Sequence, residues 1–405
     1  MCTTDRDTMK YVVVLGDGMA DYPLPELSGK TPLMAADKPC MDFMADHASM
    51  YGLVKTTIEG LPAGSDVANL AVMGYDPGRY YTGRGPLEAA SIGIPLLPDD
   101  MAFRCNLITA DNYIIDYSAG HISTDEASIL MRYLDSELGG DGVRFYPGIS
   151  YRHLLVISQC PDGIICTAPH DVLGQPVRDH LPKGQGSDRI THLIQASRDL
   201  LVNHPINKKR ISEGKRPANL IWPWGQGRSP AMPSFKDRFG LDGAVISAVD
   251  LIKGLGTFAG MDVIEVPGAT GYLDTDYGAK SAYALRALEI RDFVFVHVEA
   301  PDEASHEGRL QEKIRSIEDL DRKLIKPLLD GLPQFGDFRL MLLPDHPTPI
   351  STRTHAYDPV PYIIYDSKYN NINNKRYDER SMKDGRYVEP GYELMNMFVH
   401  GQFQG

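Results

Sequence analysis

The chain is poor in cysteine, with five residues in 405: Cys2, Cys40, Cys105, Cys160 and Cys166. They are scattered, odd in number and form no Cys-x-x-Cys pair. That argues against a disulfide framework or a thiolate zinc site and points to a reducing compartment. Long apolar runs are missing as well. Stretches such as Tyr11-Val12-Val13-Val14-Leu15 fall far short of a bilayer's thickness. The start, MCTTDRDT, is polar and lacks the apolar centre of a signal peptide. Positive charge is in deficit, with 41 Lys and Arg against 54 Asp and Glu, a formal net charge of −13. Nucleic acid and anionic membrane surfaces both need a basic footprint, so neither is expected as the main partner. A cytoplasmic, soluble protein is predicted. A small anionic ligand stays compatible if its site concentrates positive charge, for instance as metal ions. Familiar nucleotide motifs are absent too. Gly16-Asp17-Gly18 lacks the third glycine of a dinucleotide fingerprint, that position being Asp21, and neither a Walker A sequence nor His-Glu-x-x-His occurs.

What is present reads as a globular enzyme. Apolar residues make up 42% and charged residues 23%, and the length allows two to three domains of about 100–200 residues. The run Tyr11-Val12-Val13-Val14-Leu15, closed by Gly16-Asp17-Gly18, predicts a buried strand entering a loop. Comparable strands are predicted at 293–298, 338–343 and 361–365. Between the first two of these, Ile314, Ile317, Leu320, Leu324 and Leu328 recur at helical spacing. Strand, helix, strand with near-continuous apolar strands predicts βαβ units and an α/β fold built on a parallel sheet covered on both faces. The Gly- and Pro-rich text over 79–98 predicts a linker. Beyond it, strands are expected at 101–109 and 153–158. Helices are expected from the capping box Ser123-Thr124-Asp125-Glu126 and over 190–201. These patterns predict a smaller domain, 95–255, inserted into a larger one made of 1–94 and 256–405. The Asn-rich stretch 366–385 predicts an exposed loop before a terminal helix over 392–400.

Three segments place hard or borderline metal ligands just after apolar strands. Asp17 follows the first strand, Asp302 and His306 follow 293–298, and Asp345 and His346 follow 338–343, with His355 shortly after. In open α/β sheets, ligands bind beyond the carboxyl ends of the strands, so these residues are predicted to converge. Asp302 and His306, four apart, share one face of a helical turn. Oxygen mixed with imidazole nitrogen suits Mn²⁺, Zn²⁺ or a similar ion, and six ligands exceed one tetrahedral site, so two ions are expected. Each residue also has an ordinary reading: an Asp-Gly pair is often only a turn, and His297, inside a strand, reads as a satisfied core histidine. Ser65, in Ala63-Gly64-Ser65-Asp66-Val67-Ala68-Asn69, could be a simple helix N-cap. The sharper reading makes it a metal-activated nucleophile whose phosphate gains from the helix N-terminus.

Taken together, Gly16-Asp17-Gly18-Met19-Ala20-Asp21, the serine motif and Pro301-Asp302-Glu303-Ala304-Ser305-His306-Glu307-Gly308 resemble the alkaline phosphatase superfamily. Within it, the chain is similar to the archaeal-type branch of the cofactor-independent phosphoglycerate mutases. Phe145-Tyr146-Pro147-Gly148 through Arg152, Asp345-His346-Pro347-Thr348-Pro349 and the stretch from Ile252-Lys253-Gly254 through Tyr277 extend the likeness. It runs from Lys10 onward. The resemblance implies an alkaline-phosphatase-like, mostly parallel sheet with helices on both faces and an inserted smaller α/β domain for substrate. It implies that Ser65 is the phosphorylated nucleophile. One ion would lie on Asp17, Ser65, Asp345 and His346, the other on Asp302, His306 and His355. Mn²⁺ is the common metal of the family, with Mg²⁺, Zn²⁺ or Co²⁺ also met, and no 2,3-bisphosphoglycerate is required. His121 would be the substrate-side histidine, and Arg152, Arg228 and Lys253 are candidates for phosphate and carboxylate contacts.

The resulting expectation is interconversion of 3-phosphoglycerate and 2-phosphoglycerate through a phosphoserine, with a small phosphorylated metabolite as partner. A metal-dependent phosphomonoesterase or phosphotransferase would share the same serine and ligands. A non-catalytic scaffold should have lost some of them, and a sulfatase needs Pro and Arg after the serine. No pattern specifies an oligomeric state.

Overall fold

The computed structural model describes residues 9–403. Cys2 and the rest of the polar start lie outside the described residues. The chain divides into two compact units, one formed by the chain up to Tyr81 and again from Met232, the other by Thr82–Ala231. Strands β1 (Lys10–Gly16) and β2 (Met50–Val54) open the first unit. The second holds β3 (Asp100–Ala110), β4 (Ile114–Asp116), β5 (Val143–Tyr146), β6 (Arg152–Ser158) and β7 (Leu220–Gly227). The first resumes with β8 (Gly243–Ile246), β9 (Asp262–Val263), β10 (Phe293–Val298), β11 (Phe338–Leu343), β12 (Val360–Asp366) and β13 (Arg386–Val388).

The first unit is an eight-stranded sheet in the order β13-β2-β12-β11-β1-β10-β8-β9. Its centre is parallel: β1 lies between β10 and β11, with Leu15 level with both His297 and Leu343. The register therefore brings the carboxyl ends of three strands to one line. Both faces are covered. Val12, Val14, Val296 and Leu342 pack with Ile317, Leu320 and Leu324. On the other face Tyr11 meets Phe398 edge-on at 5.7 Å and Phe293 meets Phe235 at 4.4 Å. The expected strand at 361–365 is present as β12, but it runs antiparallel to β11 and β2. The 344–359 connection is made of turns without a helix, so it reverses the chain instead of crossing over.

The second unit is antiparallel: β3 pairs with β6 on one side and β7 on the other, and every residue of β3 is buried. Helices Thr124–Leu138 and Ser187–Val202 cover one face. Its bounds differ from the expected 95–255. The Gly- and Pro-rich stretch holds the helix Arg84–Ser91 rather than a linker. Pro86 sits in the first turn, where its missing N–H costs nothing. Gly85 lets the helix lie against β3, since a Cβ there would fall 2.2 Å from the Ala102 carbonyl oxygen. At the other end β8 pairs with β10 and so belongs to the first unit. The 366–385 stretch is also more than an exposed loop, because Tyr377 and Met382 are fully buried in the first unit's core.

Candidate active site

The level strand ends gather the predicted ligands. Asp17 follows β1 and is fully buried. The next residue, Gly18, takes φ +59°, and a Cβ there would lie 2.4 Å from Asp302 Oδ1. Only glycine allows the two strand ends to approach so closely. After β10 the helix Ala300–His306 sets Asp302 and His306 one turn apart, His306 Nε2 lying 3.0 Å from Asp302 Oδ2. His355 Nε2 lies 3.0 Å from His306 Nε2 and 3.7 Å from Asp302 Oδ1. After β11, His346 Nε2 lies 3.6 Å from Asp17 Oδ1 and 3.4 Å from Asp345 Oδ2.

Ser65 does not cap its helix. The capping position of Ser65–Val72 is Gly64, and Ser65 is the first helical residue. Its Oγ instead lies 3.1 Å from His346 Nε2. One turn on, the Asn69 amide donates to Ser65 O and to Asp345 Oδ2, both at 2.9 Å, tying the serine's turn to the end of β11. Asp17, Asp345 and His346 thus group beside Ser65, and Asp302 groups with His346 and His355, whose rings lie 4.0 Å apart, while His306 lies against Asp302 and His355.

The site crowds buried carboxylates and imidazoles together. Burial, and then the charges of Asp345, Glu299 and Asp302, push the Asp17 carboxyl well above the ordinary range. Burial also opposes ionisation of Asp302, but hydrogen bonds from His306 and His355 outweigh it and hold that carboxyl well below. His306 is raised to about 9 by Asp302, while burial lowers His346. Crowding buried carboxylates against one another is costly unless a cation sits among them. Asp17 Oδ1, buried and without a hydrogen bond, is the orphaned atom such a cation would satisfy. The donor set of carboxylates, imidazoles and one hydroxyl fits divalent ions.

The four substrate candidates are placed differently. Lys253, in the first unit, pairs with Glu265 at 2.7 Å. The other three lie on the second unit. Arg228 is already engaged, by Asp162 at 2.9 Å and by the Cys160 carbonyl. Arg152 is exposed at the start of β6. His121, also exposed, sits at φ +48° on a loop that Asp116 shapes by accepting from Ser118 N, Ser118 Oγ, Gly120 N and Arg216.

Comparison with known proteins is decisive. The sequence model of the 2,3-bisphosphoglycerate-independent phosphoglycerate mutases matches residues 47–207. A mutase of that name from Methanosarcina acetivorans is 55% identical over 396 residues, spanning 96% of this chain and 100% of the relative. The chain belongs to this mutase family. A Geobacter sulfurreducens protein described as a probable member is 50% identical over 398 residues, 96% of this chain and 100% of its own. Among solved structures, the cofactor-independent phosphoglycerate mutase of Thermoplasma acidophilum superposes with a TM-score of 0.69 at 27% identity, covering 97% and 99% of the two chains. A Pyrococcus horikoshii protein superposes with a TM-score of 0.82 at 29% identity, covering 98% and 99%.

Several residues of this mutase fold escaped the sequence reading. His297 is the satisfied core histidine its strand position predicts, with a partner on each ring nitrogen, but one partner is Asp17, at 2.9 Å. Thr348 Oγ1 bridges Asp302 and His346. Lys313, fully buried, donates to Asp21, Ala20 O and Thr348 O and so ties together the loops after β1 and β11. On the second unit, Arg104 stacks 4.4 Å over Trp224, pairs with Glu88 at 2.8 Å and feels the charges of Arg84 and Arg152. Rings lead from it through His170 and Tyr117 to Tyr151 and His121. His121 and Arg152 in this cluster are named from the sequence; Arg104, Trp224, His170 and Tyr117 are not, their only signal being an arginine inside an apolar strand.

Proposed function

We propose that the protein interconverts 3-phosphoglycerate and 2-phosphoglycerate through a phosphoserine at Ser65, without 2,3-bisphosphoglycerate. Family membership supports the reaction, as close relatives carry that name. The observation that carries the residue assignment is Ser65 Oγ, 3.1 Å from His346 Nε2 at the first residue of its helix, beside Asp17 and Asp345. Asp17, Ser65, Asp345 and His346 would hold one divalent ion, and Asp302, His306 and His355 the other. When bound, the ions would favour the Ser65 alkoxide and offset phosphoryl charge.

Ser65 gives up its hydroxyl proton and its Oγ forms a bond to phosphorus while the bond from phosphorus to the glycerate oxygen breaks, and that oxygen takes up a proton in exchange. Glycerate then turns, its other hydroxyl gives up its proton and attacks the phosphoserine, and the serine oxygen leaves and regains its proton. The backbone N–H groups at the start of Ser65–Val72 favour the phosphorylated serine. Lys253, His121, Arg152 and Arg228 are the proposed contacts to the substrate's phosphate and carboxylate, Arg228 keeping Nη1 without a hydrogen-bond partner while Nε and Nη2 hold Asp162 and Cys160 O. Free thiols at Cys40, Cys105, Cys160 and Cys166 support a cytoplasmic setting. Among the described residues, no helix is long and apolar enough to cross a membrane.

The test supplies 3-phosphoglycerate to metal-depleted and to Mn²⁺-reconstituted protein and measures 2-phosphoglycerate and free phosphate. Metal-dependent 2-phosphoglycerate is expected. Free phosphate as the main product makes the protein a phosphatase, and full activity without metal removes the two-ion site.

A further inference from the structure

Strand β10 carries one polar side chain among Phe293, Val294, Phe295, Val296 and Val298, the fully buried His297. A buried imidazole needs a partner at each nitrogen, and the partners decide which nitrogen bears the hydrogen. Nε2 lies 2.9 Å from Asp17 Oδ2, and Nδ1 lies 3.3 Å from Ser247 Oγ. Ser247 Oγ in turn accepts from the Val249 N–H at 3.0 Å, so its own hydrogen is free to point at the ring. A metal-bound Asp17 is a carboxylate and can only accept. The donors therefore run one way: Val249 N–H to Ser247, Ser247 O–H to Nδ1, Nε2–H to Asp17. Lys280, also buried, donates to the His297 carbonyl oxygen at 2.8 Å and holds this end of the strand.

We infer that His297 is a positioning residue for Asp17. By holding Oδ2 it turns Oδ1, which has no hydrogen bond and lies 3.6 Å from His346 Nε2, toward the ion beside Ser65. Asp17, His297 and Glu299 do bring one ligand atom each within 4.8 Å of one another. A ring nitrogen that carries a hydrogen cannot ligate, so His297 supports a ligand and is not one. The inference rests on Asp17 being a metal ligand, as proposed above.

The test uses the full chain after chelation, with Mn²⁺ affinity measured by titration calorimetry and kcat and KM measured at limiting and at saturating Mn²⁺. His297→Leu should weaken one of two Mn²⁺ sites by about 10–100-fold. It should lower kcat at limiting Mn²⁺ and leave KM for 3-phosphoglycerate within about twofold. His297→Gln, whose amide can still donate to Asp17, should recover most of the loss. Unchanged Mn²⁺ affinity in folded His297→Leu overturns the inference, as do equal losses in the Leu and Gln variants, which would mean packing alone. A third Mn²⁺ equivalent in the wild type that His297→Leu abolishes also overturns it. Should His297→Leu not fold, Ser247→Ala decides: weakened Mn²⁺ binding supports the inference and unchanged binding overturns it. Asp17→Asn separates the two levels. If it too leaves Mn²⁺ binding intact, the metal assignment itself fails, whereas if it alone weakens binding, only the role of His297 fails.

Discussion

The two units solve different problems with different backbones. In the first, a parallel sheet lines up strand ends, and Asp17, Asp345 and Asp302 leave those ends buried, Asp17 held by His297, Asp345 by Gly18 N and Asn69, and Asp302 by Thr348. In the second, an antiparallel sheet presents arginines, histidines and aromatic rings, with His121 and Arg152 exposed. One gathers buried acids, the other presents exposed cationic side chains, within a chain of net charge −13. On the proposed reading, with chemistry in the first unit and substrate contacts in the second, the contrast shows that chemistry and selectivity make opposite demands. Cation-held phosphoryl transfer needs acids fixed before the substrate arrives, whereas recognising a small anion needs cations that water and substrate can reach.

The strongest way to break this comparison is Ser65→Ala. Mutase turnover should fall by at least about a thousandfold, while the circular dichroism spectrum and Mn²⁺ stoichiometry persist. Undiminished activity would move the chemistry elsewhere. Next comes Lys313→Met, which leaves Asp21 buried without its cation. About 3–5 kcal/mol of stability should be lost, read as a lower urea midpoint with the slope unchanged. A loss below about 1 kcal/mol would mean that the loops after β1 and β11 hold their places without it. Smaller still, Arg152→Ala should raise KM for 3-phosphoglycerate about tenfold with kcat little changed. A collapse of kcat with unchanged KM would assign the second unit to chemistry after all.

The smallest effect concerns acid stability. Burial pushes the Asp116 carboxyl up, but the donors Ser118, Arg216 and Gly120 outweigh it and bring it to about 2. A carboxyl lowered on folding stabilises the fold above its unfolded value of about 3.9 and loses that contribution as pH falls toward 2. Denaturation series from pH 5 to pH 2 should show Asp116→Asn less acid-sensitive than the wild type and less stable at pH 5. Equal slopes would mean that the His121 loop does not depend on Asp116.

Much of the first unit was legible because its signals are local. An apolar β-branched run followed by Asp needs no tertiary information to suggest a strand and a ligand, and Asp302 and His306 announce their shared face by spacing alone. Ser65 carried two readings in the sequence, nucleophile and helix cap, and the backbone removes the second by giving the capping position to Gly64. The helix Arg84–Ser91 was hidden because Gly85 and Pro86 read as breakers, whereas close packing on β3 demands the one and the first turn tolerates the other. The second unit's cluster was least legible, since arginines and rings look the same in sequence whether they bind a ligand, pack or face water.

The sequence by itself determined the α/β class and the family, both carried by short contiguous motifs, and it named the strand-end acids and histidines proposed as metal ligands. Tertiary structure alone decided which polar groups meet. The pairing of Leu15 with His297 and Leu343 sets the three ligand-bearing ends level. The same pairing turns His297 from a core residue into the partner of Asp17. That decision belongs to register, because a hydrogen bond between residues 280 apart depends on which strands lie side by side, a property no local pattern encodes.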